Sequence, residues 1–412
     1  MAGHIQDRWY KTTTTDGKTT RIKTDRHGTG LRYRARYVGP DGTEKSKSFR
    51  DGQKRLAESW LAQIEADMTR GQYVDPRAGR ITFRQYAEKW LKAQGSEPSW
   101  VASMESQLTL HAFPHIGSRP LGSFQPEHVR EWVATLEQRG IPGTYARTIY
   151  SNVRAVLSAA VDDAYLNRNP CSVRSVKQPI VERKRVEPWS AERVFAVQAG
   201  MPDRYQAMVD LGAGCGMRQS EILGVTVDAF DFETNTLHVV QQLKLSRNKP
   251  VFAPPKGGKP RDVPLPGPVA DAIKAHMKQY RPVEIMLPWR RADAPKVTKN
   301  LVFSALMGNH VWRTSLNEGA WKPALVAAGV IPEPETPEDG YDAAREHGMH
   351  ALRHFYASAL LDGGENIKAV SEYLGHSDPA MTLRVYAHLM PSSQERTRKA
   401  IATAYHRAPI EG

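Results

Sequence analysis

Alternation of apolar and polar side chains is clearest near the start of the chain. Over residues 31–38 the apolar and aromatic side chains fall on one face and Arg32, Arg34 and Arg36 fall on the other, which predicts a β-strand. Turn-forming residues follow, and residues 43–49 continue as a second strand. The pattern predicts a hairpin whose basic face is either a solvated surface or a contact surface for a polyanion.

Helical spacing replaces this alternation in the next segments. Apolar positions from about 53 to 69 recur at helical spacing, so residues 1–70 are expected to form a sheet-plus-helix module with a mostly flexible start over residues 1–30. The helical spacing of apolar positions over residues 80–175 predicts a compact unit of helices, separated from its neighbours by polar linkers. The helices of this unit are expected to begin at capping or first-turn residues: Thr82, Ser99, Pro126 and Thr144.

The last unit, residues 188–400, mixes helical and strand patterns, and residues 401–412 form a tail. Strands are predicted at 236–243 and 261–265, joined by an exposed loop over residues 254–260 that carries two lysines. The chain as a whole is predicted to be mainly α with small β-sheets, in three domains. Further helices are predicted near 203–212, 267–279, 316–328, from 350, at 367–374, from 379 and over 392–405.

Composition favours a polyanionic partner. The 412 residues include 57 Lys and Arg against 44 Asp and Glu, with a formal charge of +13, and residues 1–50 hold twelve of those cations against five acids. Such a surplus favours nucleic acid, because each neutralised phosphate releases counterions. Two cysteines are too few for a disulfide scaffold, and no apolar run is long enough to span a membrane. We therefore expect a cytoplasmic protein that associates with the nucleoid when bound.

Candidate chemistry centres on the helix that begins at His350. At about 100° per residue along a helix, His350 and Arg353 lie on the side opposite an apolar stripe. The helix therefore holds out an imidazole and a guanidinium together, and this pair suits a phosphate ligand. Far upstream, three glycines in five residues precede Arg218 at the start of another helix, where an anion is also favoured. Tyr386 lies on an apolar stripe, so its local pattern indicates a core or interface aromatic.

These residues belong to a motif set. Gly216-Met-Arg218-Gln-Ser-Glu221, His350-Ala-Leu-Arg353, Leu374-Gly-His376 and Tyr386-Ala-His388 resemble, in order and spacing, the motifs of the tyrosine recombinases, the phage-integrase family. The motifs cover residues 188–400. For the preceding part the resemblance is architectural. It implies an arm-type DNA-binding domain at 1–70 and a helical core-binding domain at 80–175. Together with a mixed α+β catalytic domain, these would bind attachment-site DNA.

The resemblance implies a role for each residue. Tyr386 is the nucleophile that forms a 3′-phosphotyrosine intermediate, Arg218 and Arg353 clamp the phosphate, and His350 is the general base toward Tyr386. His376 hydrogen-bonds the phosphate. Lys256 donates a proton to the leaving 5′ oxygen, although Lys259 on the same loop competes for that role. Glu221 orients its neighbours, and the expected further DNA contacts are Arg32, Arg34, Arg36 and Lys259.

The same resemblance implies a homotetramer on double-stranded DNA, with an excisionase or a host DNA-bending protein as further partners and no metal or nucleotide cofactor. The mobile element is expected to be a phage or an integrative plasmid. Three other interpretations stay open. They are a zinc hydrolase built on His347, His350 and His354, a catalytically silent DNA-binding regulator, and a type IB topoisomerase-like enzyme.

Overall fold

The computed structural model divides into two compact units, residues 1–182 and 183–412. Apolar side chains form a small cluster between Tyr33 and Ile64, a second between Phe83 and Val176, and a large third one between Trp189 and Tyr386. Each unit is described by itself below. The structure describes residues 3–15, 18–70, 73, 75, 78–95, 98–181, 187–336, 339–341, 345–376, 378–387, 398 and 401.

The first cluster belongs to a sheet covered by one helix. The strand Tyr33–Val38 (β4) carries the buried side chains of Tyr33, Ala35 and Tyr37, and it pairs with His4–Asp7 (β1) and Glu44–Phe49 (β5) in an antiparallel sheet of order β1-β4-β5. Leu61 of the helix Lys54–Thr69 (α1) packs on the same cluster, which confirms the predicted sheet-plus-helix fold. The elements are β1 (His4–Asp7), β2 (Tyr10–Thr15), β3 (Lys18–Lys23), β4 (Tyr33–Val38), β5 (Glu44–Phe49) and α1 (Lys54–Thr69).

The expectation of a flexible start over residues 1–30 was wrong. Strand β1 joins the sheet, and β2 and β3 pair with each other to form a two-stranded ribbon. The ribbon escaped the pattern analysis because threonines and cations occupy both faces, so no apolar period marks it. Its base is anchored by the Trp9 indole N–H, which donates to the Thr29 carbonyl at 2.9 Å, and by a 2.9 Å hydrogen bond between Tyr10 and His27.

The second cluster is enclosed by helices. Thr82 caps the helix Phe83–Lys92 (α2), since its hydroxyl accepts the Gln85 N–H, and Pro126 is the first residue of the helix Pro126–Gln138 (α5), as predicted. The helices expected to start at Ser99 and Thr144 instead begin at Pro98 and Gly143. The elements are α2 (Phe83–Lys92), α3 (Pro98–His111), α4 (Phe113–Ile116), α5 (Pro126–Gln138) and α6 (Gly143–Asp162), with short 3-10 turns at Ala78–Arg80, Leu121–Ser123 and Pro170–Ser172.

The second unit, residues 183–412, packs helices around small antiparallel sheets. Its strands are β6 (Phe230–Asp231), β7 (Thr236–Val239), β8 (Gln242–Ser246), β9 (Lys249–Ala253), β10 (Arg261–Pro264), β11 (Val283–Pro288) and β12 (Lys296–Leu301), arranged as β10-β7-β6, β8-β9 and β11-β12. Its helices are α7 (Ala191–Gly200), α8 (Asp203–Cys215), α9 (Gln219–Leu223), α10 (Gly267–Gln279), α11 (Arg313–Leu316), a π-helical turn (Asn317–Trp321), α12 (Lys322–Ala327), α13 (His350–Asp362), α14 (Ile367–Leu374) and α15 (Pro379–Tyr386), with short 3-10 turns at Val227–Ala229 and Arg345–His347.

One predicted strand is divided in two. The segment expected as a single strand over 236–243 breaks after Val239, and an additional hairpin, β8–β9, precedes the expected partner β10. Strand β8 passes so close to the end of α9 that a Cβ on Gly224 would lie 2.5 Å from the Leu243 nitrogen. The Gln241 side chain also donates to the Gly224 carbonyl at 2.7 Å. Packing against α9 therefore sets the break, which alternation along the chain could not reveal.

Two glycines end helices beside the candidate site. Gly216 follows α8 with φ of 62° and Gly375 follows α14 with φ of 62°, in the left-handed region that favours glycine. A Cβ on Gly216 would lie 2.4 Å from the Tyr356 ring, so this turn has no room for a side chain. Among the described residues, no helix is both long and apolar enough to cross a membrane. The predicted tail helix over 392–405 falls almost wholly outside the described residues.

Candidate active site

A buried carboxylate organises the site. Glu221, 0% exposed, accepts hydrogen bonds from Arg218 (Nη1 to Oε1, 2.8 Å) and from Arg261 (Nη2 to Oε2, 2.7 Å; Nη1 to Oε1, 3.0 Å). It also accepts the Arg218 backbone N–H at 2.9 Å, which fixes the start of α9. Burial alone would raise the pKa of Glu221, but the hydrogen bonds and charge of Arg261 and the charge of Arg218 outweigh it and lower the pKa to about 2.

The two arginines of the motif set reach adjacent carbonyls of one turn. Arg353 donates to the carbonyls of Gly216 (2.7 Å) and Leu374, while Nη2 of Arg218 lies 3.4 Å from the carbonyl of Gly375. The expectation that Arg353 is held out to solvent was wrong, because its side chain is 1% exposed and these carbonyls take its N–H groups. The structure thus brings Arg218 and Arg353 together at the turn between α14 and His376.

The guanidiniums form a concentrated positive charge. Burial, followed by repulsion from Arg218 and Arg261, lowers the pKa of Arg353 to about 9, so it remains a cation at neutral pH. In the described part of the chain, Glu221 is the carboxylate that lies among these three cations, and it pairs with Arg218 and Arg261. An arriving phosphate would offset the remaining repulsion, and bidentate guanidinium donors match its oxygens.

Three histidines border this positive charge. His350 is exposed, whereas His354 and His376 are half-buried. Burial, followed by the charge of Arg353, lowers the pKa of His354 and of His376 to about 4, so both are neutral at pH 7. His376 Nδ1 lies 2.7 Å from the Thr382 hydroxyl, which fixes its ring.

Tyr386, the predicted nucleophile, lies in the same cluster. It is the last residue of α15, whose start is capped by Asp378, and it is 2% exposed. Its hydroxyl lies 2.7 Å from Nδ1 of His354. Burial raises the pKa of Tyr386 to about 12, although the charge of Arg353 acts to lower it. Tyr386 is therefore a neutral phenol, which would need activation to act as a nucleophile.

The loop lysines lie apart from this buried cluster. Lys256 and Lys259 are exposed on the loop between β9 and β10. Arg261, the first residue of β10, ties the end of that loop to the site because its Nε donates to the Tyr373 carbonyl at 2.6 Å. The loop therefore has one end fixed at Glu221 while its lysines remain accessible.

The arginines predicted to contact DNA lie in the first unit and already have partners in the chain. Arg32 pairs with Asp7 (3.0 Å) and Asp51 (2.8 Å), and its pKa is raised mainly by these hydrogen bonds. Arg34 and Arg36 are half-buried on the outward face of β4. Arg34 donates to the Ser46 hydroxyl at 2.9 Å, and Arg36 lies 3.3 Å from Glu44.

Sequence reasoning assigned no catalytic role to two residues of the site, Arg261 and His354. Arg261 follows Lys259 by two positions in the loop motif, and His354 directly follows Arg353, so both adjoin recognised motifs. The sequence pattern suggests His354 only as a zinc ligand, together with His347 and His350. No group of three or more His, Cys, Asp or Glu side chains suited to a metal ion occurs in the described part of the chain.

Comparison with known proteins decides the family. The profile of the phage integrase family matches residues 190–393, and that of the phage integrase central domain matches residues 83–175. The chain belongs to the phage integrase family. It is a tyrosine recombinase, an enzyme that recombines DNA at specific sites.

Similar proteins span nearly the same length. The putative prophage phiRv2 integrase of Mycobacterium tuberculosis strain H37Rv is 26% identical over 364 residues, which cover 87% of this chain and 88% of that protein. The integrase of Mycobacterium phage D29 is 25% identical, over 92% of this chain and 95% of its own. The Tn1549 transposon integrase, solved in complex with transposon right end DNA, shares the fold with a TM-score of 0.64 at 19% identity, over 78% of this chain and 99% of that one. A lambda integrase tetramer bound to a Holliday junction gives a TM-score of 0.54 at 15% identity, over 86% and 92%.

Proposed function

We propose that this recombinase is an integrase that inserts or excises a mobile element by cleaving and rejoining DNA through a 3′-phosphotyrosine bond on Tyr386. The observation that carries the proposal is the convergence of Arg218, which caps α9, with Arg353 of α13 and the Tyr386 hydroxyl of α15 around one cluster. Residues so distant in sequence meet there because the turns at Gly216 and Gly375 bring their helix ends together.

The chemistry follows from the charges in this cluster. Attack of the phenolic oxygen on phosphorus forms an O–P bond while the bond to the 5′ oxygen breaks, and negative charge builds on the non-bridging oxygens. Arg218 and Arg353 would stabilise that charge, with His376 as a further hydrogen-bond donor to the phosphate. Lys256 would give a proton to the departing 5′ oxygen, which otherwise leaves as an alkoxide. Rejoining is the reverse reaction with a 5′ hydroxyl from another strand.

The partners follow from the same proposal. The recombinase would bind attachment-site double-stranded DNA through residues 80–175 and 188–400, and arm sites through residues 1–70, using Arg34, Arg36 and Lys259 among its contacts. A homotetramer is proposed because exchange between two duplexes needs four cleavages. An excisionase or a host bending protein would complete the assembly. The DNA complexes of the Tn1549 integrase and the lambda integrase tetramer support DNA binding and oligomerisation.

A nicked suicide substrate tests the proposal. The duplex carries the direct repeat that bounds the integrated element, with a nick placed so that the cleaved fragment diffuses away and traps covalent protein on DNA. We expect wild-type chain and a Tyr373→Phe control to form the adduct and Tyr386→Phe to form none, since the hydroxyl of Tyr386 bonds His354 beside Arg353. Gel separation of denatured adducts measures the result.

The same experiment separates the alternatives. Specific binding by the wild-type chain without any adduct would indicate a catalytically silent regulator. Relaxation of supercoiled plasmids lacking the repeat, at the rate of plasmids that carry it, would indicate a type IB topoisomerase-like enzyme. An adduct from Tyr386→Phe equal to that from wild type would refute the assignment of the nucleophile.

A further inference from the structure

The partner of the nucleophilic hydroxyl is not the histidine that the motif set suggests. Tyr386 Oη lies 2.7 Å from Nδ1 of His354, and the two ring centroids are 5.6 Å apart. His350 lies one turn earlier on α13, and its ring packs edge-on against that of His354 at 4.7 Å. His350 is exposed, whereas the Tyr386 side chain is buried. The phenol is thus directed inward, toward the second histidine of the helix.

From this geometry we propose that His354 holds the hydroxyl of Tyr386 for attack and accepts its proton as the oxygen bonds to phosphorus. The inference rests on the proposed function, since it assigns a role within the same reaction. His350, on the exposed turn, would then contact the DNA phosphate and would not take the proton of the nucleophile.

The protonation states of the two partners suit this transfer. Burial keeps the His354 imidazole neutral, because its pKa is lowered to about 4, and keeps Tyr386 a neutral phenol. A phenol O–H can therefore donate to an unprotonated Nδ1. The charged and titratable groups that act on His354 and its partner are Arg353, His350 and His376. A phosphate bound beside Arg353 would raise the pKa of His354, since an anion favours the imidazolium form.

The step balances in atoms and charge. The bond from Tyr386 Oη to phosphorus forms with an oxygen lone pair, while the phenolic proton moves to Nδ1 of His354. The bond from phosphorus to the 5′ oxygen breaks, and that oxygen takes a proton from Lys256. His354 ends as an imidazolium and Lys256 as a neutral amine. In rejoining, His354 returns the proton to the phenolic oxygen as it leaves.

Two substitutions at His354 separate orientation from proton transfer. His354→Leu removes both functions, and we expect single-turnover cleavage of the nicked duplex to slow about 100-fold or more, the usual effect of losing a general base. His354→Asn places an amide near the position of Nδ1, so it can hold the hydroxyl but cannot take the proton. We expect its rate to lie between those of the Leu variant and wild type. His238→Asn, at a half-buried histidine of β7 whose Nδ1 lies 2.7 Å from Asp262, is the matched control and should cleave at the wild-type rate.

A modified substrate shows whether His354 acts on the attacking hydroxyl or on the leaving 5′ oxygen. Sulfur in place of the bridging 5′ oxygen gives a leaving group that needs no proton. We expect this substrate to restore cleavage by Lys256→Ala but to leave the defect of His354→Leu in place. Thermal melting and DNA binding of each variant are measured alongside, and if His354→Leu does not fold, the His354→Asn variant carries the same comparison.

Several outcomes would overturn the inference. Wild-type rates in both His354 variants would show that the hydrogen bond is irrelevant to cleavage. Faster cleavage by His354→Leu would show that His354 restrains the nucleophile. Rescue of His354→Leu by the sulfur substrate would place its role on the leaving-group side. These results leave the proposed function standing, whereas absence of any adduct from wild type would remove both.

Discussion

At the residue scale, one carboxylate makes the arrangement of cations possible. Glu221 is fully buried and bonds both Arg218 and Arg261, while Arg353 is held nearby by backbone carbonyls. Without a counter-charge, three guanidiniums this close would repel one another in a medium that screens charge poorly. Glu221 therefore keeps Arg218 and Arg261 in place before any phosphate arrives.

Replacement of Glu221 by Gln tests this role. The substitution keeps the shape of this buried side chain but removes its charge, so Arg218 and Arg261 lose their ion-pair partner, and we expect the free energy of unfolding to fall by about 3 kcal/mol or more. Urea denaturation of the full chain, followed through the transition of the second unit, measures the change. Asp293→Asn, which removes an exposed ion pair with Arg291, is the control and should leave the transition unchanged. Equal effects in the two variants would contradict the role given to Glu221.

At the element scale, the β2–β3 ribbon is an extension of the first sheet without a core of its own. Six of the residues at 10–23 are threonine and four are Lys or Arg, and Ile22 is 54% exposed on one face. The base is fixed, because Arg21 pairs with Asp7 and its guanidinium lies 4.2 Å from the centre of the Tyr10 ring. A two-stranded ribbon with polar faces and basic residues has the dimensions to enter a DNA groove.

Two lysines of the ribbon offer a test of its contact with DNA. If Lys11 and Lys23, both exposed, contact phosphates of an arm site, then Lys11→Gln with Lys23→Gln should weaken arm-site binding and lower the slope of log affinity against log salt by about 2. Fluorescence anisotropy over a salt series measures both quantities. Lys54→Gln on α1 is the control, since Lys54 pairs with Glu58 on the helix. An unchanged slope in the double variant would exclude phosphate contacts by these lysines.

At the scale of the whole molecule, the site links stability to pH. His354 and His376 are half-buried and neutral, with pKa values lowered to about 4, below the usual 6.5. Between pH 4 and 6.5 these two histidines bind protons in the unfolded chain but not in the folded chain. Stability is therefore lost as pH falls from 6.5 toward 4. Glu221, with its pKa lowered to about 2, adds a further loss below about 4.5.

Thermal unfolding across this range measures the linkage. We expect the free energy of unfolding of the second unit to fall steadily as the pH drops from 6.5 to 4. The slope should be up to about 1.4 kcal/mol per pH unit for each of the two histidines. His376→Asn should reduce that slope, because one titrating group is removed. Attachment-site DNA should reduce it as well, since a phosphate stabilises the imidazolium forms. A transition independent of pH above 4.5 would contradict the neutral state of the histidines.

Local sequence patterns were sufficient where a few neighbouring residues set the structure. The alternation at 31–38 predicted β4, the cap at Thr82 predicted α2, and the motif set identified the family. These predictions succeeded because backbone geometry depends on residues a few positions apart, and because the motifs keep their order along the chain. They failed for the β2–β3 ribbon, which has no apolar period to detect.

Only the tertiary structure decided which groups meet. Periodicity placed Arg353 on an open helix face, but packing buried it against carbonyls from two other segments. Packing likewise brought Arg261 to Glu221, 40 positions away in the sequence. It also directed the Tyr386 hydroxyl to His354, where the motif suggested His350. A hydrogen bond depends on ångström-scale distances between side chains that the chain brings together only on folding. The sequence by itself therefore determined the family, while the pairing of the side chains in the site was set by tertiary packing.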